Sequence, residues 1–186
     1  LSRMSAFKTL ASKYYQAKGA FIPETMTIFG TYASGDYGWD REGHSPNEVL
    51  SMYIRHIWVQ SLELSKLMLD YVSYSGDETF LKEKALPAIK EFLLYFDSRF
   101  RNEQGQIRIT PTQAVETYWY EVENDMPSVA GLHYVLDALE KLPSHLLSDV
   151  DRSYYQQLKK GLPGLPKKGI AQGEVFLPAE VFLEKR

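Results

Sequence analysis

The sequence predicts an all-α fold of helical hairpins whose connections alternate between tight and long. Three observations predict it. Apolar residues recur at helical spacing over five stretches of the chain. Ser45-Pro46-Asn47-Glu48 is a capping box with proline at the first helical position. Gly76-Asp77 ends one apolar stretch and caps the next, as an antiparallel hairpin with a tight turn requires.

Residues 3–18 read as a helix with Met4, Phe7, Leu10, Ala11 and Tyr14 on one side and Gly19 as its stop. Residues 19–45 form a long loop rich in Gly, Pro, Tyr and Asp. Loops of that length are usually functional or disordered, and Phe21, Phe29, Tyr32, Tyr37 and Trp39 speak against disorder. The capping box opens a helix that runs to Tyr74 and is apolar on more than one face, so it packs on at least two sides. Its partner covers residues 78–100 and is kinked or divided at Pro87. A turn from Asn102 to Gly105 leads to a short extended piece, Ile107-Arg108-Ile109. Residues 110–124 are the second long loop. Asn124 or Asp125 caps a helix over residues 126–141, with Pro127 in its first turn and a stripe of Val129, Leu132, Val135, Leu136 and Leu139. Ser148 caps a last helix, 149–160, closed by Gly161. The tail 161–186 reads as mostly irregular, with extended pieces near Ile170 and at 175–177. In a ring of hairpins this order places the long loops on one rim, where sites tend to lie.

Composition narrows the function. The chain has 186 residues, 44% of them apolar and 24% charged, and a net charge of -3. No basic stripe interleaved with aromatics is present, so a nucleic-acid partner is not expected. The apolar runs are too short to span a bilayer. With no cysteine there is no disulfide, thiolate metal site or cysteine nucleophile. His44, His56, His133 and His145 are scattered without ligand spacing, so neither a metal nor a cofactor is expected. No phosphate-cradling glycine loop and no G-x-S-x-G elbow occurs. Leu1-Ser2-Arg3-Met4 is neither an initiator nor a signal peptide, and the chain reads as one partial domain from a longer polypeptide. Thirteen Tyr, nine Phe and three Trp are many for this length. Most of the tyrosines fit a packing role, with ring buried and hydroxyl wet.

The sharpest chemical candidate is Thr110-Pro111-Thr112-Gln113-Ala114-Val115-Glu116-Thr117-Tyr118-Trp119-Tyr120. A carboxyl beside apolar rings resists ionisation, as a general acid near neutral pH needs. The plainer alternative is that Glu116 pairs with a lysine or caps a helix. Pro23-Glu24-Thr25 and Asp36-Tyr37-Gly38-Trp39-Asp40-Arg41 lie on the other long loop, where Trp39 between two carboxylates suits a sugar subsite. There the alternative is that Asp40 and Arg41 organise their own loop. Expected substrate contacts are therefore Glu24, Trp39, Asp40, Tyr118 and Trp119. Asp125 reads as a helix cap, Glu63 as a structural group in a helix, and Glu121 and Glu123 as solvated.

Tyr74-Ser75-Gly76-Asp77-Glu78-Thr79-Phe80-Leu81-Lys82-Glu83-Lys84-Ala85-Leu86-Pro87-Ala88-Ile89-Lys90 resembles the hairpin signature of six-hairpin, (α/α)6-toroid glycoside hydrolases. The similarity is nearest to the fucosidase-like glycoside hydrolase family 95, and it covers residues 50–140. Trp58, Gln60, Leu62 and Glu63 resemble the helix before that signature. Pro111, Thr112 and Glu116 occupy the P, S and E positions of the acid motif, and Asn124-Asp125-Met126 resembles the start of the following helix. Ala114, Val115 and Thr117 depart from it, which bears on fucose specificity. The resemblance implies part of an (α/α)6 toroid and hydrolysis of an oligosaccharide or polysaccharide with inversion. It also implies Glu116 as general acid and a periplasmic or secreted location. The second group that glycoside hydrolysis requires would come from Glu24, Asp36, Asp40, Glu121 or Asp125, or lie outside the chain. A non-catalytic carbohydrate-binding protein and a helical interaction scaffold are the rival readings.

Overall fold

The structure is a computed structural model, and it describes residues 2–116 and 120–183. Its centre is the hairpin formed by α3 (Gln60–Ser75) and the interrupted helix that follows it. Gly76 takes the left-handed conformation, φ +69°, and its N–H closes on the Val72 carbonyl. Asp77 then accepts from the Phe80 N–H at 2.8 Å and starts α4 (Glu78–Phe80). A π turn (Leu81–Ala85) joins α4 to α5 (Leu86–Phe100), and the Leu86 N–H reaches back to the Leu81 carbonyl. Pro87 lies in the first turn of α5 and has no N–H to give, so the chain widens by one residue there rather than breaking.

The other helices pack around this hairpin. α1 (Met4–Tyr15) lies against α5, and α6 (Met126–Glu140) against both α3 and α7 (Asp149–Lys160). A Cβ at Gly131 would stand 3.0 Å from Leu62, so this glycine sets the close approach of α6 to α3. Gly19, at φ +81°, lays the chain flat on α5, where a Cβ would fall 2.3 Å from the Glu91 carbonyl oxygen. The core is aromatic. Trp58, Tyr95, Phe21, Phe92 and Phe96 are fully buried. The Arg99 guanidinium lies 4.8 Å from the Tyr15 ring and 5.0 Å from Trp58, and donates to the Tyr15 carbonyl at 2.9 Å. Desolvated cation–π contacts of this kind contribute up to about 2 kcal/mol each.

Two parts of the structure correct the expectation of an all-α chain of hairpins in an (α/α)6 toroid. The fold is mixed α/β, 47% helix and 11% strand, in a small domain that is not a toroid. β1 (Val122–Asp125) pairs antiparallel with β4 (Ala179–Phe182), and β2 (Lys167–Ile170) pairs with β3 (Gly173–Phe176). The tail expected to be mostly irregular supplies three of the four strands among the described residues: β2 and β3 fall at the extended pieces expected near Ile170 and at 175–177, and β4 is the addition. β1 leads directly into α6, whose N-cap is Asp125, and Ser148 caps α7.

The second correction concerns residues 46–59, which are turns rather than the first half of a long helix. Ser45 Oγ does accept from the Asn47 N–H at 3.2 Å, but its carbonyl closes a single turn with the Glu48 N–H at 3.0 Å. Tertiary partners then claim the backbone. The N–H groups of Leu50 and Ser51 donate to the carbonyls of Tyr37 and Asp36, in the short helix α2 (Ser34–Tyr37). Gln113 takes the groups at Met52, Tyr53 and His56. Peptide groups spent in this way cannot bond along a helix.

Candidate functional site

The loop at 110–116 is anchored at every residue from Pro111 to Gln113. Trp58 Nε1 donates to the Pro111 carbonyl at 3.0 Å. Thr112 exchanges backbone bonds with Val122 and donates its hydroxyl to Asp125 Oδ1 at 2.6 Å. The second oxygen of Asp125 accepts from the Ser128 N–H at 2.9 Å, so one carboxylate caps α6 and holds the loop. Burial pushes the Asp125 carboxyl up, against the pull of those bonds. Gln113, 2% exposed, mimics a peptide group. Its Oε1 accepts from the His56 N–H at 3.0 Å, its Nε2 donates to Met52 and Tyr53, and its own N–H donates to the His56 carbonyl.

Glu116 follows this anchor three residues later and is exposed. Its charge is one of those that act on Glu24. Loss of solvation raises the Glu24 carboxyl above the ordinary range, and the charges of Glu116, Glu63 and Asp36 raise it further, in that order. Four segments supply these charges. Glu24 follows the buried stretch 20–23, Asp36 is in α2, Glu63 is in the first turn of α3, and Glu116 ends the anchored loop. Thr25 donates its hydroxyl to Asp36, tying two of these segments together. Among the described residues no three His, Asp or Glu stand close enough to hold a metal ion.

The sequence-based candidates divide on this geometry. Glu116 acts electrostatically on Glu24. Glu63, expected to be structural, is exposed and joins them. Asp40 is not part of the group, and its carboxylate accepts from the Glu42 N–H at 3.1 Å and shapes its own loop. Trp39 is 83% exposed and lines a groove of about 410 Å³ with α1, a groove that none of the four carboxylates lines. Tyr118 and Trp119 lie outside the described residues. Glu123, expected to be solvated, forms a two-bond ion pair with Arg108 at 2.6 and 2.7 Å. His56 Nδ1 stands 3.6 Å from Glu121, too far for a hydrogen bond. Burial, helped by the cations of Arg55 and Arg99, lowers this imidazole to about 3, so the ring is neutral.

Gln113 and Glu63 are what sequence reasoning missed. Gln113 carries no local signal, because its partners stand 57 residues or more away. Glu63 sits in the first turn of α3, which starts at Gln60 rather than at the capping box.

No protein-family model matches the chain, and no curated protein matches it. The resemblance to family 95 and to six-hairpin toroid hydrolases is therefore corrected. The 74–90 motif forms a helical hairpin turn here, and such a turn is a local solution that many folds use. Among the described residues no helix is long and apolar enough to cross a membrane.

Proposed function

We propose that this chain hydrolyses a glycosidic bond, with Glu24 as the proton donor and Glu116 as the base that activates water. The observation that carries the reading is the Glu24 carboxyl, raised by loss of solvation and then by the charge of Glu116. General acid–base chemistry needs two such groups with their proton affinities pushed apart. Loss of solvation acts on Glu24, which therefore takes the acid role that the resemblance implied for Glu116. Its proton passes to the leaving oxygen, while Glu116 removes a proton from the water that attacks the anomeric carbon. A single displacement of this kind inverts that carbon.

The test uses a panel of alkyl and aryl glycosides. Glu24→Gln lowers turnover of alkyl glycosides by about 10²–10⁴ and leaves affinity in place. Aryl glycosides with good leaving groups restore turnover in Glu24→Gln but not in Glu116→Gln, because only the first role can be bypassed. Unchanged alkyl-glycoside turnover in Glu24→Gln refutes the assignment, and binding without hydrolysis in the unaltered protein supports the rival non-catalytic carbohydrate-binding protein.

A further inference from the structure

The groove beside Trp39 is separate from the carboxylates but shares a wall with them. Asp36 of α2 belongs to the acidic group, whereas Ser34 and Tyr37 of the same short helix line the groove. Its floor is preorganised. Tyr14 meets Tyr32 edge-on at 5.4 Å and Tyr37 at 6.2 Å, and Tyr32 is fixed from below by a hydroxyl–hydroxyl bond to Tyr15. Arg41 stacks 4.0 Å over the Tyr37 ring and holds the Tyr37 and Ser45 carbonyls. Gly38, at φ +110°, packs against Leu50 where a Cβ would fall within 2.5 Å, and the turn presents Trp39 to solvent. Lys13 is the one cation in the lining, and no carboxylate accompanies it. It makes no ion pair among the described residues, and its Nζ lies 5.0 Å from the Tyr14 ring.

We propose that this groove binds a uronate, a pyranose unit bearing a carboxylate. The apolar face of the sugar ring stacks on Trp39, its carboxylate meets the Lys13 ammonium, and its hydroxyls meet Thr9, Thr31 and Ser34. A flat aromatic wall with a few placed polar groups is what a small-ligand site requires, and the fixed tyrosine floor lowers the ordering cost of binding. The absence of acidic lining residues and the single unpaired ammonium select the anionic ring over a neutral one. The inference rests on the carbohydrate reading for the sugar, but not on the roles of Glu24 and Glu116.

The test is a ¹H–¹⁵N NMR titration of the chain with methyl β-glucuronoside, its 6-methyl ester and methyl β-glucoside. The Trp39 indole signal, assigned by its loss in Trp39→Phe, shifts saturably with the glucuronoside. The ester and the glucoside bind about fivefold more weakly, the size of one exposed charge pair. Lys13→Gln brings the three ligands to equal affinity, and Trp39→Ala weakens all of them. Both residues are exposed, and circular dichroism confirms that the variants fold. Equal affinity for the three ligands in the unaltered protein overturns the proposal, as does binding that Trp39→Ala leaves intact. Glu24→Gln keeps groove binding, so a failure here and a failure of hydrolysis are told apart.

Discussion

Gln113→Leu removes three hydrogen bonds while keeping most of the side-chain volume. Two are well formed, from the His56 N–H at 3.0 Å and to the Met52 carbonyl at 2.8 Å, and the third, to Tyr53, is longer at 3.3 Å. A net intramolecular hydrogen bond contributes about 0.5–1.5 kcal/mol, and an orphaned buried N–H costs about 1–3 kcal/mol. Met52 and Tyr53 are exposed residues, so water can recover part of the loss at their carbonyls. The expected destabilisation is therefore roughly 2–4 kcal/mol. In a domain of this size each kcal/mol moves Tm by about 2–4 °C, so thermal unfolding followed at 222 nm drops by roughly 4–16 °C. Gln113→Glu sharpens the test through pH. Its buried carboxyl is raised above the unfolded value of about 4.3, because the charged form faces carbonyl oxygens. Stability of that variant is then closest to the parent in acid and is lost as pH rises through the raised value. A Gln113→Leu cost below about 0.5 kcal/mol refutes the account of residues 46–59 as a loop held by this side chain.

Asp125→Ala loses both the α6 cap and the Thr112 bond, at a cost of about 2–3 kcal/mol in urea unfolding, whereas Asp125→Asn keeps a competent cap. Because the folded Asp125 carboxyl is raised by burial, its contribution is lost as pH rises from the unfolded carboxylate value through the folded one, and Asp125→Asn removes that slope. His56 has the opposite dependence. Its imidazole is lowered from 6.5 to about 3, so its contribution is fully present above the unfolded value and is lost as pH falls toward the folded one. Urea midpoints of His56→Gln measured between pH 7 and pH 4 decline less than those of the parent, and an equal decline in both refutes a buried neutral ring.

The elements read correctly from the sequence are those whose signals are local. Gly76-Asp77 stops one helix and caps another within two residues, and Asp125 and Ser148 cap helices from their own first turns. The capping box at Ser45 is also local, yet it fails because Arg41, Tyr37 and Gln113 compete for the backbone that a helix would use. β1 could not be read, because Val122-Glu123-Asn124-Asp125 shows no clean alternation and Asn124 adopts φ +51°. The shared rim expected for the two long loops belongs to a toroid, which this fold is not, so the influence of Glu116 on Glu24 is not legible from the sequence. The rise of the Glu24 carboxyl depends on the packing around it, which spacing does not carry.

The pairing of β1 with β4 sets an order of assembly. The Asn124 Nδ2 bond to Glu180 at 2.6 Å spans 56 residues, whereas the hairpin between Gln60 and Phe100 closes on neighbours. Contacts so distant along the chain form late, because loop closure precedes their reward. During synthesis the helical hairpin can fold while the residues of β4 are still to be added. The Thr112–Val122 bridge that steadies the loop leading to Glu116 joins near neighbours in the chain and belongs with the early contacts, whereas β1 completes its pairing only once residues 179–182 arrive. The nascent protein thus acquires its helical scaffold before the strand pairing that completes the fold.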